Sequence, residues 1–189
     1  MSAERATALV ERAAGNTVFL EELLRAAAEG SDDTPETVVA MLHARIGRME
    51  PAARRVLRAA SVFGDACAAA GVRALCGHDR ATEVDRWLEY LVQCEVLGRP
   101  ARGRYPFRHA LVREAAYGSL TEEDRVLGHR LAGDHLEAVG DVEGALLADH
   151  FERGGDVPRA RRWLRRVPEP AIEASHYEGP GGGVQNPAN

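Results

Sequence analysis

Apolar residues recur at helical spacing along most of the chain. Residues 3–14 read as one helix stopped by Gly15, and Leu20, Leu23, Leu24, Ala27 and Ala28 form a second stripe closed by Gly30. Ser31-Asp32-Asp33-Thr34 is a polar loop, and Pro35 at a first helical position opens a third helix with Val38, Leu42, Ile46 and Met49 on one side. Pro51 opens a fourth, whose buried face is Val56, Ala59, Ala60 and Phe63 and which Gly64 ends. A small-residue helix is predicted near 66–76. A longer one follows at about 79–95 and turns Val84, Leu88, Leu91 and Val92 inward.

The period then changes. Val96-Leu97-Gly98-Arg99 and Arg104-Tyr105-Pro106-Phe107-Arg108 flank Pro100-Ala101-Arg102-Gly103, which predicts a short β-hairpin with Pro106 holding its second strand at an edge. Helices followed by a hairpin suggest a winged-helix unit. Residues 109–119 are helical again, and Thr121-Glu122-Glu123-Asp124 has the form of a capping box opening a long helix to Val139. Glu143–Arg153 and Pro158–Arg166 form an antiparallel helical pair around Gly154-Gly155-Asp156. From Pro168 onward the prolines, glycines and polar residues have no period, which predicts a disordered tail.

Composition agrees with a mainly α protein. The 189 residues are 45% hydrophobic but only 5% aromatic, with much alanine and leucine and few β-branched runs. All 24 residues of the Lys+Arg total are arginine. No lysine is present to reach nucleotide phosphates, and there is no glycine-rich phosphate loop, so phosphoryl chemistry by this chain is excluded and no enzyme activity is expected of it. The formal net charge of −5 argues against a nucleic-acid partner. No apolar run is long enough to span a bilayer and the amino-terminal residues lead into an amphipathic helix, so no membrane partner and a cytoplasmic location are expected. Cys67, Cys76 and Cys94, each in an apolar helical context, contain no C-x-x-C pair and read as buried free thiols.

Arg12-Ala13-Ala14-Gly15-Asn16-Thr17-Val18-Phe19-Leu20-Glu21-Glu22-Leu23 resembles the Gly-Asn-Pro-Phe-Phe-Leu-Glu-Glu-Leu segment of STAND-class signalling ATPases. Three more stretches continue in the family's order: Pro35-Glu36-Thr37-Val38 with Ala44-Arg45-Ile46, then Arg54 to Gly64, then Phe107-Arg108-His109-Ala110-Leu111 to Tyr117 and on through Leu120 and Glu123 to Arg125 and His129. The resemblance spans roughly residues 5–166. It implies a helical lid at 1–50, a winged-helix-like domain at 51–120, tetratricopeptide-like helices at 121–167 and a tail at 168–189. In the family, the first segment lies beside the nucleotide and carries proline where this chain has Thr17. The histidine matched by His109 approaches the β-phosphate of bound ADP, and Ala110 stands where the motif usually has aspartate.

What the resemblance implies is a non-catalytic regulatory piece of a bacterial signalling protein, an ATPase linked to a serine/threonine kinase or an adenylate cyclase. The phosphate loop and Walker B acid would then lie upstream, and ATP or ADP with magnesium would belong to the intact parent, with no cofactor in this chain. The implied partners are the upstream nucleotide-binding domain and downstream helical repeats. Gly15, Asn16 and His109 are the nucleotide-sensing candidates, and they act only with the upstream domain.

Each candidate also has a plainer role. Asn16 sits where an N-cap is wanted, and His109 can serve an interdomain hydrogen bond. His129, His135 and His150 do not share the i,i+4 spacing that stacks two imidazoles for a metal, so no metal site is expected. Glu21-Glu22 and Glu122-Glu123 are adjacent pairs that diverge by about 100° on a helix and read as solvated or capping carboxylates. Ser61 and Ser119 lack a nucleophile turn. The basic run Arg159-Arg161-Arg162-Arg165-Arg166 suits a helix C-terminal half. Two other functions compete with the leading one: a DNA-binding winged-helix transcriptional regulator, and a helical scaffold that uses 141–166 to hold a protein partner.

Overall fold

The computed structural model describes residues 3–13, 17–28, 38–140 and 142–166. Gly15, Asn16, Gly30, the 31–34 loop, Pro35 and the tail from 168 lie outside the described residues. What is described is mainly helical, with one small two-stranded antiparallel sheet.

Helices α1 (Ala3–Ala13), α2 (Thr17–Ala28) and α3 (Val38–Arg48) meet through Ala13, Phe19, Leu23 and Met41, with Leu9 and Leu20 packed against them. One helical step after Met41, Leu42 and Ile46 of α3 turn the other way and enter the largest apolar cluster. That cluster belongs to a central unit made of α4 (Pro51–Ser61), β1 (Ala66–Ala68), α5 (Ala69–Cys76), α6 (Ala81–Gln93), β2 (Arg104–Pro106) and α7 (Ala110–Gly118). Its buried residues include Val56, Leu57, Val72, Val84, Leu88, Leu91, Val96, Leu97 and Val112. The 3.6-residue spacing of Val84, Leu88 and Leu91 is what aims α6 into this core.

The sheet departs from expectation in two ways. Residues 66–68 are not the start of a helix but the strand β1, paired with β2 in the register Ala66↔Pro106, Cys67↔Tyr105 and Ala68↔Arg104. The alanines of Ala-Cys-Ala favour helix, so the edge offered by β2 overrides local propensity, and Cys67 sits in a strand rather than a helix. Pro106 is also not at an edge. Gly98 N donates to Pro106 O at 2.8 Å and Arg108 N to Val96 O at 3.2 Å, which places β2 between β1 and the 96–98 arm of the expected hairpin. Proline loses only the donor half of its exchange with Gly98, a single ladder bond.

Helix α8 (Glu122–Val139) is capped by Thr121, whose Oγ1 accepts from Asp124 N at 3.1 Å. It is wedged between the central unit and the helical pair α9 (Gly144–Arg153) and α10 (Val157–Leu164). Two glycines permit that wedge. A Cβ on Gly128 would stand 3.2 Å from Val62 Cγ2, and one on Gly133 only 2.7 Å from Phe151 Cε1. The pair closes over Leu147, Phe151 and Ala160, with Leu136, Val142 and Trp163 alongside. Among the described residues no helix is long and apolar enough to cross a membrane.

Candidate functional site

His109 is the one proposed sensing residue that falls within the described residues. It is the extended residue immediately before α7, with φ −139° and ψ 140°, so it stands at the positive end of that helix without spending its own side chain on a cap. Its Nε2 lies 3.0 Å from Glu21 Oε2, 88 residues away in α2. The imidazole is about one-quarter exposed. The contact therefore joins the second helix of the chain to the first turn of the last helix of the central unit.

Around this contact lies a set of charges that residue spacing had not suggested. Glu22, next to Glu21 but a hundred degrees round the helix, is 6% exposed and is held by Arg45 Nη1. It is a buried ion-pair partner, which corrects the expectation of a solvated carboxylate. Arg45 Nη2 also donates to the Cys94 carbonyl, as does Arg25 Nη1 at 3.5 Å. Arg25 Nη2 bonds Glu95 Oε2 at 3.0 Å, and Arg108 Nη1 approaches Glu95 Oε1 at 3.5 Å. These guanidinium contacts, the Arg25 bond first, hold the Glu95 carboxyl below its ordinary range. Glu95 has φ 56°, the left-handed turn that takes the chain out of α6 and presents the Cys94 carbonyl to α2 and α3. Glu22 was visible only as a charge beside Leu23 on an apolar stripe, and its partners could not be found from spacing.

A second polar cluster joins the central unit to α8 and α9. Tyr117 Oη lies 2.9 Å from His129 Nε2, and His129 Nδ1 lies 3.0 Å from His150 Nδ1. Both imidazoles are buried, and Phe63 tilts against His150 with ring centroids 6.1 Å apart. Two facing Nδ1 atoms at this distance need one to carry the proton and one the lone pair, so the two rings are not both charged. Burial pushes His129 down to about 4, with His150 and Arg153 acting in the same sense, and burial lowers His150 too. The 21-residue separation gave no hint of this pairing. His135 shares with His150 the lining of a cavity of about 30 Å³. No group of three or more histidines, cysteines and carboxylates that could hold a metal occurs among the described residues.

The remaining candidates have structural partners. Ser61 Oγ donates to Arg58 O and Ser119 Oγ to Ala116 O, so both hydroxyls are held by their own helices. Arg159 of the basic run binds Asp134, Glu137 and Asp156, and Arg162 binds Glu137, which also accepts from Trp163 Nε1 at 3.0 Å. These arginines fasten α10 to α8. Cys67 is buried, with its thiol pushed up to about 11 chiefly by desolvation, and Cys76 and Cys94 are half-buried; all three are free. A thiol at that value is a packing group, not a nucleophile. No family model, no curated protein and no solved structure matches the chain.

Proposed function

We propose that this chain is the conformational, non-catalytic part of a STAND-type signalling ATPase, one that reads nucleotide state in partnership with an upstream nucleotide-binding domain. In this reading α1–α3 are the lid, residues 51–120 are a winged-helix domain and α8–α10 begin a tetratricopeptide array. The output would be a bacterial kinase or cyclase. The observation that carries it is the His109–Glu21 contact. A histidine at the start of α7 is bound to the acidic helix that follows the Gly15-Asn16 segment, so a phosphate competing for the imidazole would loosen the lid from the central unit. The order helix, strand, two helices, hairpin over residues 51–108 supports the winged-helix assignment.

The DNA-binding alternative draws no support from α6, the helix that would enter a groove. It carries Glu83, Asp85 and Glu89 against Arg86 alone. Isothermal titration of the chain with ADP tests the leading reading. With His109 in place but the phosphate cradle supplied by another domain, binding weaker than about 100 μM is expected. Submicromolar affinity would overturn the claim that the site is incomplete.

A further inference from the structure

A concave pocket of about 200 Å³ lies beside, but apart from, the His109 contact, lined by Arg25, Arg45, Arg48, Met49, Tyr90 and Cys94. Three guanidiniums from α2 and α3 converge on it. Arg25 and Arg45 are drawn close together because both donate to the Cys94 carbonyl, and both draw on the one carboxylate of Glu22, at 3.8 Å from Arg25 Nε. Arg25 shares its other carboxylate, Glu95, with Arg108. The Arg25 Nε is shut off from solvent and makes no hydrogen bond among the described residues. Arg48, one turn beyond Arg45 on α3 and exposed, pairs with no carboxylate among them. Glu50 adds a third carboxylate acting on Tyr90. Counted with Arg108, four guanidiniums face three carboxylates there, an excess of one positive charge in a chain whose net charge is −5.

We propose that the pocket binds a small tetrahedral oxyanion of the phosphate type, clamped between the α2–α3 helices and the end of α6. Guanidinium forks are suited to such an ion because each can present two parallel N–H donors to it. The volume is below the roughly 300–1,000 Å³ typical of sites for drug-sized ligands, which favours a free ion or a single terminal phosphate group over a whole nucleotide. Occupancy would neutralise the crowded cations and fasten α2 and α3 to the central unit. The inference does not depend on the nucleotide-sensing role of His109.

Isothermal titration of the full chain with inorganic phosphate, at ionic strength held constant with sodium chloride, tests it. Saturable binding with a dissociation constant on the order of 1 mM is expected, weakened at least fivefold in Arg48→Gln, whose side chain holds nothing else in place. Arg25→Gln, checked for folding by circular dichroism, should weaken it likewise. Parallel titration with ADP separates the sources. ADP binding that equals phosphate and falls equally in Arg48→Gln assigns the site to any terminal phosphate, and no ADP binding assigns it to the free ion. Absence of saturable phosphate binding, or binding that Arg48→Gln and Arg25→Gln leave unchanged, would overturn the proposal.

Discussion

Where α2 and α3 meet the central unit, Arg45 and Arg25 reach Glu22 and the Cys94 carbonyl, Arg25 and Arg108 share Glu95, and His109 meets Glu21. Where α8 and α9 meet it, Tyr117, His129 and His150 form a chain of neutral groups beneath Phe63. The first junction is built of ion pairs and is partly open to water; the second is built of buried neutral hydrogen-bonding groups, with Arg125 stacked on Tyr117 and Arg153 beside it. The pairs of Glu95 and His109 are partly exposed, contribute little stability each and weaken as salt rises, whereas Glu22–Arg45 is buried and costly to break. Buried neutral hydrogen bonds flanked by aromatic rings hold until one member is protonated or removed. The apolar packing does not divide the two sides: the helices before α4 close over Ala13, Phe19, Leu23 and Met41, α8–α10 close over Leu147, Phe151 and Ala160, and α3 also sends Leu42 and Ile46 into the central cluster. The contrast is therefore one of polar chemistry, with salt acting on the first junction and acid on the second.

The chain offers a reporter for the closed side and one for the central unit, because Trp163 lies in α10 and Trp87 in α6. Replacing either by phenylalanine leaves fluorescence to the other. The largest effect is expected from Phe151→Ala. Removing a fully buried ring wedged against Gly133 should destabilise the closed junction by about 4 kcal/mol, read from the denaturant midpoint of Trp163 with Trp87 removed. If the Trp87 transition moves equally, the α8–α10 side unfolds together with the central unit and is not a separate element.

Acid sharpens the contrast next. His129 titrates near 4 in the folded chain and near 6.5 when unfolded, so the unfolded state takes up the proton first. The stability it contributes is present above about pH 6.5 and is lost as pH falls toward 4, a drop of at most about 3 kcal/mol. His129→Leu should flatten that part of the stability profile; an unchanged profile would mean that the pair is not the acid-sensitive element. At the charged junction, Arg45→Met leaves the buried Glu22 with only the distant Arg25, and a loss of about 2 kcal/mol is expected from urea unfolding monitored by circular dichroism. The smallest change belongs to His109→Ala. Its partly exposed pair with Glu21 should cost about 0.5 kcal/mol, while proteolysis of the α2–α3 region should accelerate if that contact helps hold α2 and α3 against the central unit.

Much of the helical layout could be read directly, as α4, α6, α8 and the α9–α10 pair show. Pro51, Gly64, Thr121 and Gly140 punctuate the chain through the chemistry of their own backbones, and Val84, Leu88 and Leu91 declare their buried face by spacing alone. The strand at 66–68 could not be read, because the alanines of Ala-Cys-Ala favour helix and only pairing with β2 overrides them. The central place of Pro106 depended likewise on a strand forty residues earlier. His129 and His150 looked unrelated on their helices, and only the packing of α8 on α9 turned them face to face.

The sequence by itself determined most of the helical layout from Pro51 on, the buried face of α6, that every cation apart from histidine is a guanidinium, and that this chain carries no phosphate loop. Only the tertiary structure decided that Glu22 is buried against Arg45, that Glu21 holds His109, and that three arginines line one pocket. The physical reason is range. Periodicity, capping and turn chemistry act within a few residues of the chain, whereas a charge or an imidazole acquires its partner only when the apolar faces of separate helices have been driven together.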